Sequence, residues 1–561
     1  MGYLDKPWLE SYKLGPYNLE HSLAPYPEVP VWEVLDRAAA DHPGRTAILY
    51  EGRSLRYREL KDRVDALAGA LARLGVRKGD RVCLFLPNCV EFVLCTWAVF
   101  RAGGVVVPTS ILRTEEGLLH EAGSSGSRII ICREEDLDRV LGVREACGVE
   151  HIVVTSTAGY DVEAASKALP EEACELRDLL EEDGRPPEVD IAPLEDLCML
   201  AFTGGATGVP KGVMLTHYNW HSVLLQALPW FLKPLLPGVK GKASILLAVP
   251  LFHVYGSFIH LSAINLGLRL ILLPDPRDTA KMANMVREHR PFLFPGVPTQ
   301  FMLLGELGLR RANTMLFSGS APLPREVAQV IKRKTGMPIS EGYGMTETCT
   351  VTHVNLSAFS RITGFVAQEK CGIGVPCPDT ECRLVHPDTG EDVSVGEPGE
   401  VVVRGPQIMA GYWPSPGSGL TSDGWLHTGD IGVMEDDGTF QIVDRIKDMV
   451  NVSGLKVYTT EVDEVLFRHP AVLMAASFGV PDSRMPGSER VMAVVQLKEA
   501  QRGQVTEEDI RAYCREHLAP YAVPKYVVFR DDMPLTVTEK VFKRALREAA
   551  IARMRDEGQI S

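Results

Sequence analysis

A glycine-rich stretch directly after an apolar run is the feature that most restricts how this chain can fold. The run Leu197 to Phe202 has the length and composition of a buried strand. It continues into Thr203-Gly204-Gly205-Ala206-Thr207-Gly208-Val209-Pro210-Lys211-Gly212. Because glycines lack a Cβ atom, such a loop can bring amide N–H groups, threonine hydroxyls and the Lys211 ammonium close to phosphate oxygens. Two residues separate Lys211 from the last glycine before it, so this is not a Walker A loop; an ordinary surface turn is the alternative interpretation.

Strand and helix patterns alternate before this loop and predict an α/β protein. Apolar residues at helical spacing run from Leu60 to Leu74, and Gly75 ends that helix. Arg81 to Leu86 then has a strand pattern, and Val90 to Arg101 a helix pattern. The alternation predicts a layered α/β body with largely parallel sheets. Residues before about 30 are expected to form an extended arm packed on this body, and residues 160–195 a surface excursion without regular structure.

The pattern changes towards the C-terminus. From about Gly372, short strands separated by Gly, Pro and Asp predict a β-rich subdomain, with strands expected at Gly432 to Glu435 and Thr439 to Val443. A small α+β unit follows Asp444. We therefore predict two domains: residues 1–444, a large N-terminal domain of layered α/β subdomains plus the β-rich subdomain, and residues 445–561, a small mobile α+β domain.

Composition and charge exclude several classes of function. The chain has 561 residues and a net charge of −14, which argues against a nucleic-acid partner. Its 12 cysteines show no CxxC spacing, the N-terminus lacks a signal-peptide pattern, and the apolar region Phe258 to Pro274 is interrupted by polar residues. These observations predict a cytoplasmic protein without a transmembrane segment. The sequence leaves open peripheral contact with a membrane surface and assembly into a homodimer.

Five motifs follow one another in an order that identifies a family. After the glycine-rich loop come Glu341-Gly342-Tyr343-Gly344-Met345-Thr346-Glu347-Thr348, Trp425-Leu426-His427-Thr428-Gly429-Asp430, Asp444-Arg445-Ile446-Lys447-Asp448 and Pro534-Leu535-Thr536-Val537-Thr538-Glu539-Lys540. Together they resemble the adenylate-forming superfamily of acyl- and aryl-CoA synthetases, luciferases and peptide-synthetase adenylation domains, over nearly the whole chain. The resemblance implies an acid–thiol ligase: ATP converts a carboxylic acid to acyl-AMP with release of pyrophosphate, and a thiol then displaces AMP. ATP, Mg²⁺ and coenzyme A are the implied cofactors.

The resemblance also implies roles for individual residues in an ATP- and acyl-binding site of the N-terminal domain. The loop holds the β- and γ-phosphates, Thr346 binds the α-phosphate, and Glu347 is the metal ligand, since Mg²⁺ prefers carboxylate oxygen. Tyr343 stacks on adenine and Glu341 accepts its amino group. Asp430, an acceptor-only carboxylate, takes both ribose hydroxyls. The other residues implied to bind nucleotide or CoA are Thr203, Gly204, Gly205, Thr207, Gly208, Lys211, Ser320, Ala321, Gly342, Gly344, Arg445, Ser453, Gly454 and Lys456.

Two lysines and a histidine complete the implied catalytic site. Lys540 bridges the substrate carboxylate and the α-phosphate as charge develops at phosphorus. Lys447 is the hinge about which the C-terminal unit rotates between the two half-reactions. His253 resembles part of an aromatic motif beside the acyl pocket, and we expect it to be a wall and gate of that pocket rather than a general base. The chain departs from the family pattern at Ala206, where Thr or Ser is usual, and at Glu539, where Gly is usual.

The acid is predicted to be a medium- or long-chain fatty acid. The N-terminal Lys6-Pro7-Trp8-Leu9 and the Thr-Gly-Gly form of the loop look like those of long-chain fatty-acid–CoA ligases. The expected pocket segments, Pro250 to Phe258 and Met315 to Leu323, contain no Arg or Lys to pair a second carboxylate. If Gly344 borders the pocket, a bulky residue there should shorten the preferred acid. An aryl- or hydroxycinnamate–CoA ligase, a carrier protein as thiol acceptor, and a nucleotide-binding ATPase without ligase activity remain alternatives.

Overall fold

Helices lie between two large sheets and also cover their outer faces. The computed structural model describes residues 2–156, 169–181, 184–203, 209–309, 314–360, 363, 370, 372–485, 487–536 and 540–560. One hydrophobic cluster joins inward-facing residues of both sheets, such as Leu84 and Leu247, to the helices between them. Separate clusters form the outer layers, with Phe85 under one sheet and Leu246 under the other. The predicted α/β class is therefore confirmed.

The two large sheets are parallel at their centres, as the alternation of elements predicts. Antiparallel strands are added at one edge of the first sheet and at both edges of the second, while the other edge of the first sheet stays parallel. The described strands of the first sheet are, in spatial order, Ser415–Pro416, Gly411–Tyr412, Lys211–Thr216, Leu197–Thr203, Val105–Pro108, Arg81–Phe85, Ser127–Arg133, His151–Thr155 and Ala173–Glu175. Those of the second are Val375–Pro376, His353–Val354, Ile339–Tyr343, Met315–Ser318, Leu293–Gly296, Ser244–Leu247, Arg269–Leu272, Thr46–Tyr50 and Arg53–Arg56.

Helix positions follow the apolar patterns. Leu60, Val64, Leu67 and Leu71 are buried on one face of a helix, and Gly75 follows its end with a φ of +97°, a value that favours glycine. The described α-helices of the N-terminal body are Glu33–Asp41, Tyr57–Arg73, Val90–Arg101, Glu115–Ser125, Leu137–Cys147, Leu176–Glu181, His217–Gln226, Leu228–Phe231, Leu236–Val239, Val254–Asn265, Thr279–His289, Pro298–Glu306, Arg325–Thr335 and Ser357–Ser360.

The expected surface excursion at residues 160–195 is partly wrong. Residues 157–168 lie outside the described part, but Ala173–Glu175 adds a strand to the first sheet and Leu176–Glu181 is a helix with Leu176 fully buried. The chain then passes Gly69, where an added Cβ atom would lie 2.7 Å from the carbonyl oxygen of Arg185. A helix of six residues is too short to show a helical period, so the pattern missed it.

The β-rich subdomain is a four-stranded antiparallel sheet of Glu381–Val385, Gly399–Arg404, Leu426–Met434 and Phe440–Arg445. Its third strand begins six residues before the expected Gly432. The sequence pattern missed this first part because the polar His427, Thr428 and Asp430 interrupt the apolar residues of the strand. The N-terminal arm packs on this part of the molecule, as expected: Tyr12 is buried and its hydroxyl donates to the carbonyl oxygen of Pro376.

The C-terminal unit has the predicted α+β composition. A three-stranded sheet of Val472–Pro481, Glu489–Leu497 and Tyr526–Phe529 carries the helices Thr459–Arg468 and Glu507–His517 on one face and Lys543–Asp556 on the other. A hairpin of Val450–Val452 and Leu455–Val457 connects this unit to the β-rich sheet. No described helix has the length and apolarity needed to span a membrane.

Candidate active site

The glycine-rich loop connects two antiparallel strands. Thr203, the last residue of one strand, lies opposite Lys211, the first residue of the next. Residues Gly204, Gly205, Ala206, Thr207 and Gly208 lie outside the described residues, so their predicted contacts with phosphate remain predictions. The imidazole Nε2 of His120 lies 2.9 Å from the carbonyl oxygen of Pro210 at the end of the loop. Because no helix follows the loop, phosphate binding here depends on loop amides and side chains rather than on a helix N-terminus.

Three of the predicted nucleotide-binding residues form one hydrogen-bonded group. The Tyr343 hydroxyl donates to Asp430 Oδ2 at 2.7 Å, and Arg445 Nε donates to Asp430 Oδ1 at 3.0 Å. Asp430 and Arg445 are direct cross-strand partners, which is why residues 15 positions apart in the sequence meet. The structure thus brings together the residues predicted for adenine and ribose, and holds the Asp430 carboxylate with both of its oxygens facing donors.

Lys540 approaches this group from the C-terminal unit. It closes a turn in which the Lys540 amide donates to Thr536 Oγ1, while residues 537–539, which include Glu539, lie outside the described part. Burial, and next the nearby charge of Arg445, lower the pKa of Lys540 to about 7. Lys540 in turn contributes, after burial, to lowering the pKa of His253 to about 3. The C-terminal unit therefore presents Lys540 to the N-terminal site in this structure.

The lowered pKa of Lys540 predicts proton uptake when ATP binds. At pH 8, above the pKa of about 7, most Lys540 side chains are neutral, and an anionic phosphate beside the amine raises its pKa again. Calorimetry in two buffers of different ionisation enthalpy should then report uptake approaching about one proton per ATP at pH 8, falling below pH 6.5. Lys540→Met should bind ATP without this uptake; equal uptake in both proteins would contradict the assignment.

Strand ends of the second sheet supply the remaining predicted residues. Glu341 is buried and accepts a hydrogen bond from the Leu323 amide at 3.1 Å, and burial raises the pKa of its carboxyl to about 8. Ser320 follows a neighbouring strand with a φ of +69°, and its buried hydroxyl has no partner among the described residues. Ala321 comes next. These groups lie at the carboxyl ends of the strands, where parallel sheets commonly bind ligands.

Gly342 and Gly344 are needed for close packing rather than for pocket space. A Cβ atom at Gly342 would lie 2.5 Å from the Phe317 ring, and one at Gly344 would lie 1.7 Å from the carbonyl oxygen of Thr350. Thr350 itself has a φ of +102°, a strained value for a β-branched residue. A bulky residue at Gly344 would therefore displace this turn, and the expectation that it would simply shorten the preferred acid is wrong.

Glu347 and a tyrosine that the sequence did not single out form a second polar group. Thr346, Glu347 and Thr348 make one turn of 3₁₀-helix, and Glu347 is buried at 8% exposure. The Tyr412 hydroxyl donates to Glu347 Oε1 at 2.8 Å, and Lys211 Nζ lies 4.9 Å from the centroid of the Tyr412 ring. The only signal in the sequence was an aromatic residue between Gly411 and Trp413 in a segment without a clear period.

An apolar cavity lies behind Tyr255. Its volume of about 10 Å³ is just enough for one water molecule. The Tyr255 hydroxyl donates to the carbonyl oxygen of Phe317, on the strand that leads to Ser320. His253, at the start of the same helix, accepts from the Tyr255 amide with Nδ1 and is neutral at its lowered pKa of about 3. The cavity is lined by Ala227, Leu228, Phe231, Ile245, Tyr255, Phe258, Ile259, Leu293, Pro295, Phe317, Val351 and Val354.

A hydrogen-bonded pair joins the two sides of the predicted hinge. Asp444 accepts from both the amide and the hydroxyl of Thr459, at the start of the first helix of the C-terminal unit. Burial raises the pKa of the Asp444 carboxyl to about 6. Lys447 lies between these two residues in the sequence, and burial followed by the Arg445 charge lowers the pKa of its ammonium.

The tip of the hairpin predicted to line the CoA path forms hydrogen bonds within the C-terminal unit. Ser453 and Gly454 form its tip with positive φ values, and their amides donate to Ser488 Oγ and Asn451 Oδ1 within the C-terminal unit. Lys456 is on the returning strand. Their predicted roles are not tested by this arrangement, in which the C-terminal unit turns the Lys540 face towards the site.

Comparison with known proteins agrees with this geometry. Residues 35–413 match the AMP-binding enzyme family, and residues 461–540 match the AMP-binding enzyme C-terminal domain. A long-chain-fatty-acid–CoA ligase of Bacillus subtilis (strain 168) is 35% identical, covering 97% of this chain and 98% of the relative. A feruloyl-CoA synthase of Amycolatopsis sp is 33% identical, covering 92% and 98%.

A solved structure supports the same assignment. ATP-bound MatB from Rhodopseudomonas palustris superimposes with a TM-score of 0.80 at 26% identity, covering 93% of this chain and 99% of that one. The protein belongs to the AMP-binding enzyme family, which confirms the resemblance carried by the five motifs.

Proposed function

We propose that this protein is an AMP-forming acid–thiol ligase that joins a medium- or long-chain fatty acid to coenzyme A. The observation that carries the proposal is the hydrogen-bonded group of Tyr343, Asp430 and Arg445. Lys540 of the C-terminal unit is proposed to act beside this group, in line with the lowering of its pKa by burial and next by the Arg445 charge. ATP, the acid and CoA are its substrates.

Lys540 has a defined task in the first half-reaction. A carboxylate oxygen of the acid attacks the α-phosphorus of ATP, the bond to the bridging oxygen of the β-phosphate breaks, and pyrophosphate leaves with that electron pair. The Lys540 ammonium, with Thr346, stabilises the charge that grows on the α-phosphate oxygens. In the second half-reaction the CoA sulfur attacks the acyl carbon and the bond to AMP breaks.

Glu347 fits the role of a ligand for the Mg²⁺ that accompanies ATP. Among the described residues there is no group of three or more His, Cys, Asp or Glu side chains that could hold a metal alone. Mg²⁺ is usually bound through one or two protein carboxylates together with substrate phosphates and water. One buried carboxylate beside a phosphate loop is therefore sufficient, and Glu347 supplies it.

A panel of acids tests the proposed activity. The purified protein is given ATP, Mg²⁺, CoA and acetate, octanoate, palmitate or ferulate, and AMP and pyrophosphate are measured. We expect release that depends on a long- or medium-chain acid. Preference for ferulate would identify an aryl-CoA ligase, and ATP hydrolysis without any acid would identify an ATPase; either result would overturn the proposal.

The apolar cavity predicts a change of chain length. Ala227 is buried and lines the cavity. Because the cavity seen here is small, we propose that an acyl chain enlarges it on binding, and Ala227→Leu fills the space into which the chain would extend. We expect kcat/KM to fall at least about tenfold for palmitate and little for octanoate, with a stability loss of about 1–3 kcal/mol from overpacking.

Ala283→Leu is the matched control. Ala283 is equally buried, but it lies in the hydrophobic cluster on the outer side of the second sheet, away from the cavity. This variant should lose similar stability with the same preference among acids. If both variants keep the profile of the unmodified protein, the cavity is not the acyl site.

The proposal includes the domain boundary at residues 444 and 445 with Lys447 as the hinge. The hinge is supported because Arg445 is the last residue of the β-rich sheet and the Ile446 amide still donates to the carbonyl oxygen of Gly429. The bonding of that sheet thus continues just past the proposed boundary and ends directly before Lys447. A cytoplasmic location is also proposed, and it is supported by the cysteines: every one in the described part of the chain is a free thiol.

A further inference from the structure

We propose that Tyr412 is a positioning residue that holds Glu347 and Lys211 at fixed places around the nucleotide phosphates. The proposal rests on the proposed ATP site. The tyrosine touches both partners with different parts of its side chain: the hydroxyl donates to Glu347 Oε1 at 2.8 Å, and the ring face lies under Lys211 Nζ at 4.9 Å. One residue thus connects the predicted metal ligand to the predicted cation of the phosphate loop.

The backbone on both sides of Tyr412 links the same two elements. The Met409 amide donates to the carbonyl oxygen of Glu347 at 2.9 Å, and the Trp413 amide donates to that of Gly212 at 2.8 Å. Between them, Tyr412 lies opposite Val213 on the strand that begins at Lys211. Residues 409–413 therefore span from the Glu347 turn to the base of the glycine-rich loop.

Neighbouring residues hold the Tyr412 side chain in position. Its own amide donates to Ser418 Oγ at 3.0 Å, and that hydroxyl donates back to the Tyr412 carbonyl oxygen at 3.1 Å. A Cβ atom at Gly419, which has a φ of +84°, would lie 2.5 Å from the ring. The ring position is thus fixed by contacts that do not involve Glu347 or Lys211.

The chemistry of the side chain suits both contacts. The Tyr412 hydroxyl can donate a hydrogen bond, and the Glu347 carboxylate can accept one. A fixed donor on one carboxylate oxygen sets the plane of the carboxylate and leaves the other oxygen to a metal ion. The ring face attracts the Lys211 ammonium without neutralising it, so the lysine keeps its charge for phosphate.

Two substitutions separate the two contacts. Tyr412→Phe removes the hydroxyl and keeps the ring, whereas Tyr412→Leu removes both. Trp413→Phe is the matched control, because it removes a side-chain donor from the adjacent residue, Nε1 to the Ser124 carbonyl oxygen, without touching Glu347. Mn²⁺ is the metal probe: its affinity is measured by electron paramagnetic resonance with ATP present, and ATP affinity by calorimetry at saturating metal.

We expect Tyr412→Phe to weaken Mn²⁺ binding about tenfold while ATP affinity at saturating metal is unchanged. Tyr412→Leu should weaken Mn²⁺ binding to the same extent and also weaken ATP binding about threefold. Lys211→Ala should weaken ATP binding by a smaller factor in the Tyr412→Leu background than in the unmodified protein. Trp413→Phe should match the unmodified protein. If Tyr412→Phe binds Mn²⁺ as tightly as the unmodified protein does, the proposal is overturned.

The binding readouts keep this proposal distinct from the proposed function. If the unmodified protein binds Mn²⁺ and ATP but activates no acid, the ligase assignment fails and the Tyr412 comparison still decides its own question. If the unmodified protein binds neither Mn²⁺ with ATP nor ATP alone, both proposals are overturned.

Discussion

Lys540→Ala is expected to lose acyl-AMP formation by about 10²- to 10³-fold while supplied acyl-AMP is still converted to acyl-CoA. Lys540 is presented to the Asp430 and Arg445 group in the arrangement seen here, so its charge is available only to the first half-reaction. The prediction follows from the proposal that the C-terminal unit has another orientation for the thiol step and that this step does not use the Lys540 ammonium. The two steps are measured separately, as acid-dependent ATP–pyrophosphate exchange and as release of AMP from synthetic acyl-AMP and CoA.

Lys498→Ala and Lys540→Arg are the controls for this prediction. Lys498 is an exposed lysine of the same unit, and its loss should leave both steps unchanged. Lys540→Arg keeps a positive charge and should restore part of the exchange activity. Equal damage to both half-reactions in Lys540→Ala would contradict the view that the unit works in two orientations.

Lys447→Pro is expected to show the opposite pattern, with adenylation retained and thioester formation reduced on the order of 100-fold. Proline fixes φ at about −65° and removes the amide hydrogen. The amide of Lys447 is not a donor in any backbone hydrogen bond of the described residues, so the arrangement seen here loses no such bond. A hinge that cannot change φ cannot bring the hairpin tip at Ser453 and Gly454 to the site.

Lys447→Ala separates the backbone effect from the side chain. It removes the exposed ammonium but leaves φ free, so both half-reactions should persist. If Lys447→Ala loses thioester formation as fully as Lys447→Pro does, Lys447 acts through its side chain and the hinge lies at another residue.

The sequence predicted the body of the fold well where the pattern was long and regular. The helix Val90–Arg101 has the expected limits, and the strand Arg81–Phe85 and the helix Tyr57–Arg73 lie within a few residues of theirs, because apolar residues at regular spacing face one core. It failed at Leu176–Glu181, which is too short to have a period, and at the strand Leu426–Met434, whose polar residues belong to the site. Functional residues interrupt the very pattern that would reveal the strand.

The candidate site was predicted unevenly for a related reason. Motifs named Tyr343, Asp430 and Arg445, and these residues form one hydrogen-bonded group. Tyr412 was missed, because it reaches Glu347 from a strand 65 positions away and no local spacing records that contact. The small volume of the apolar cavity and the packing of Gly344 against Thr350 also depend on tertiary structure, so residue types alone could not predict them.

Lys540 also links the position of the C-terminal unit to the contents of the site. Its lowered pKa means that the docked arrangement disfavours the ammonium form, so the unit is held less firmly when no anion is present. ATP supplies that anion and shifts the population towards docking. Once pyrophosphate has left, acyl-AMP retains a single phosphate charge and the attraction weakens. If the unit changes its orientation between the half-reactions as proposed, the charge that the chemistry itself removes would drive that change without a separate signal.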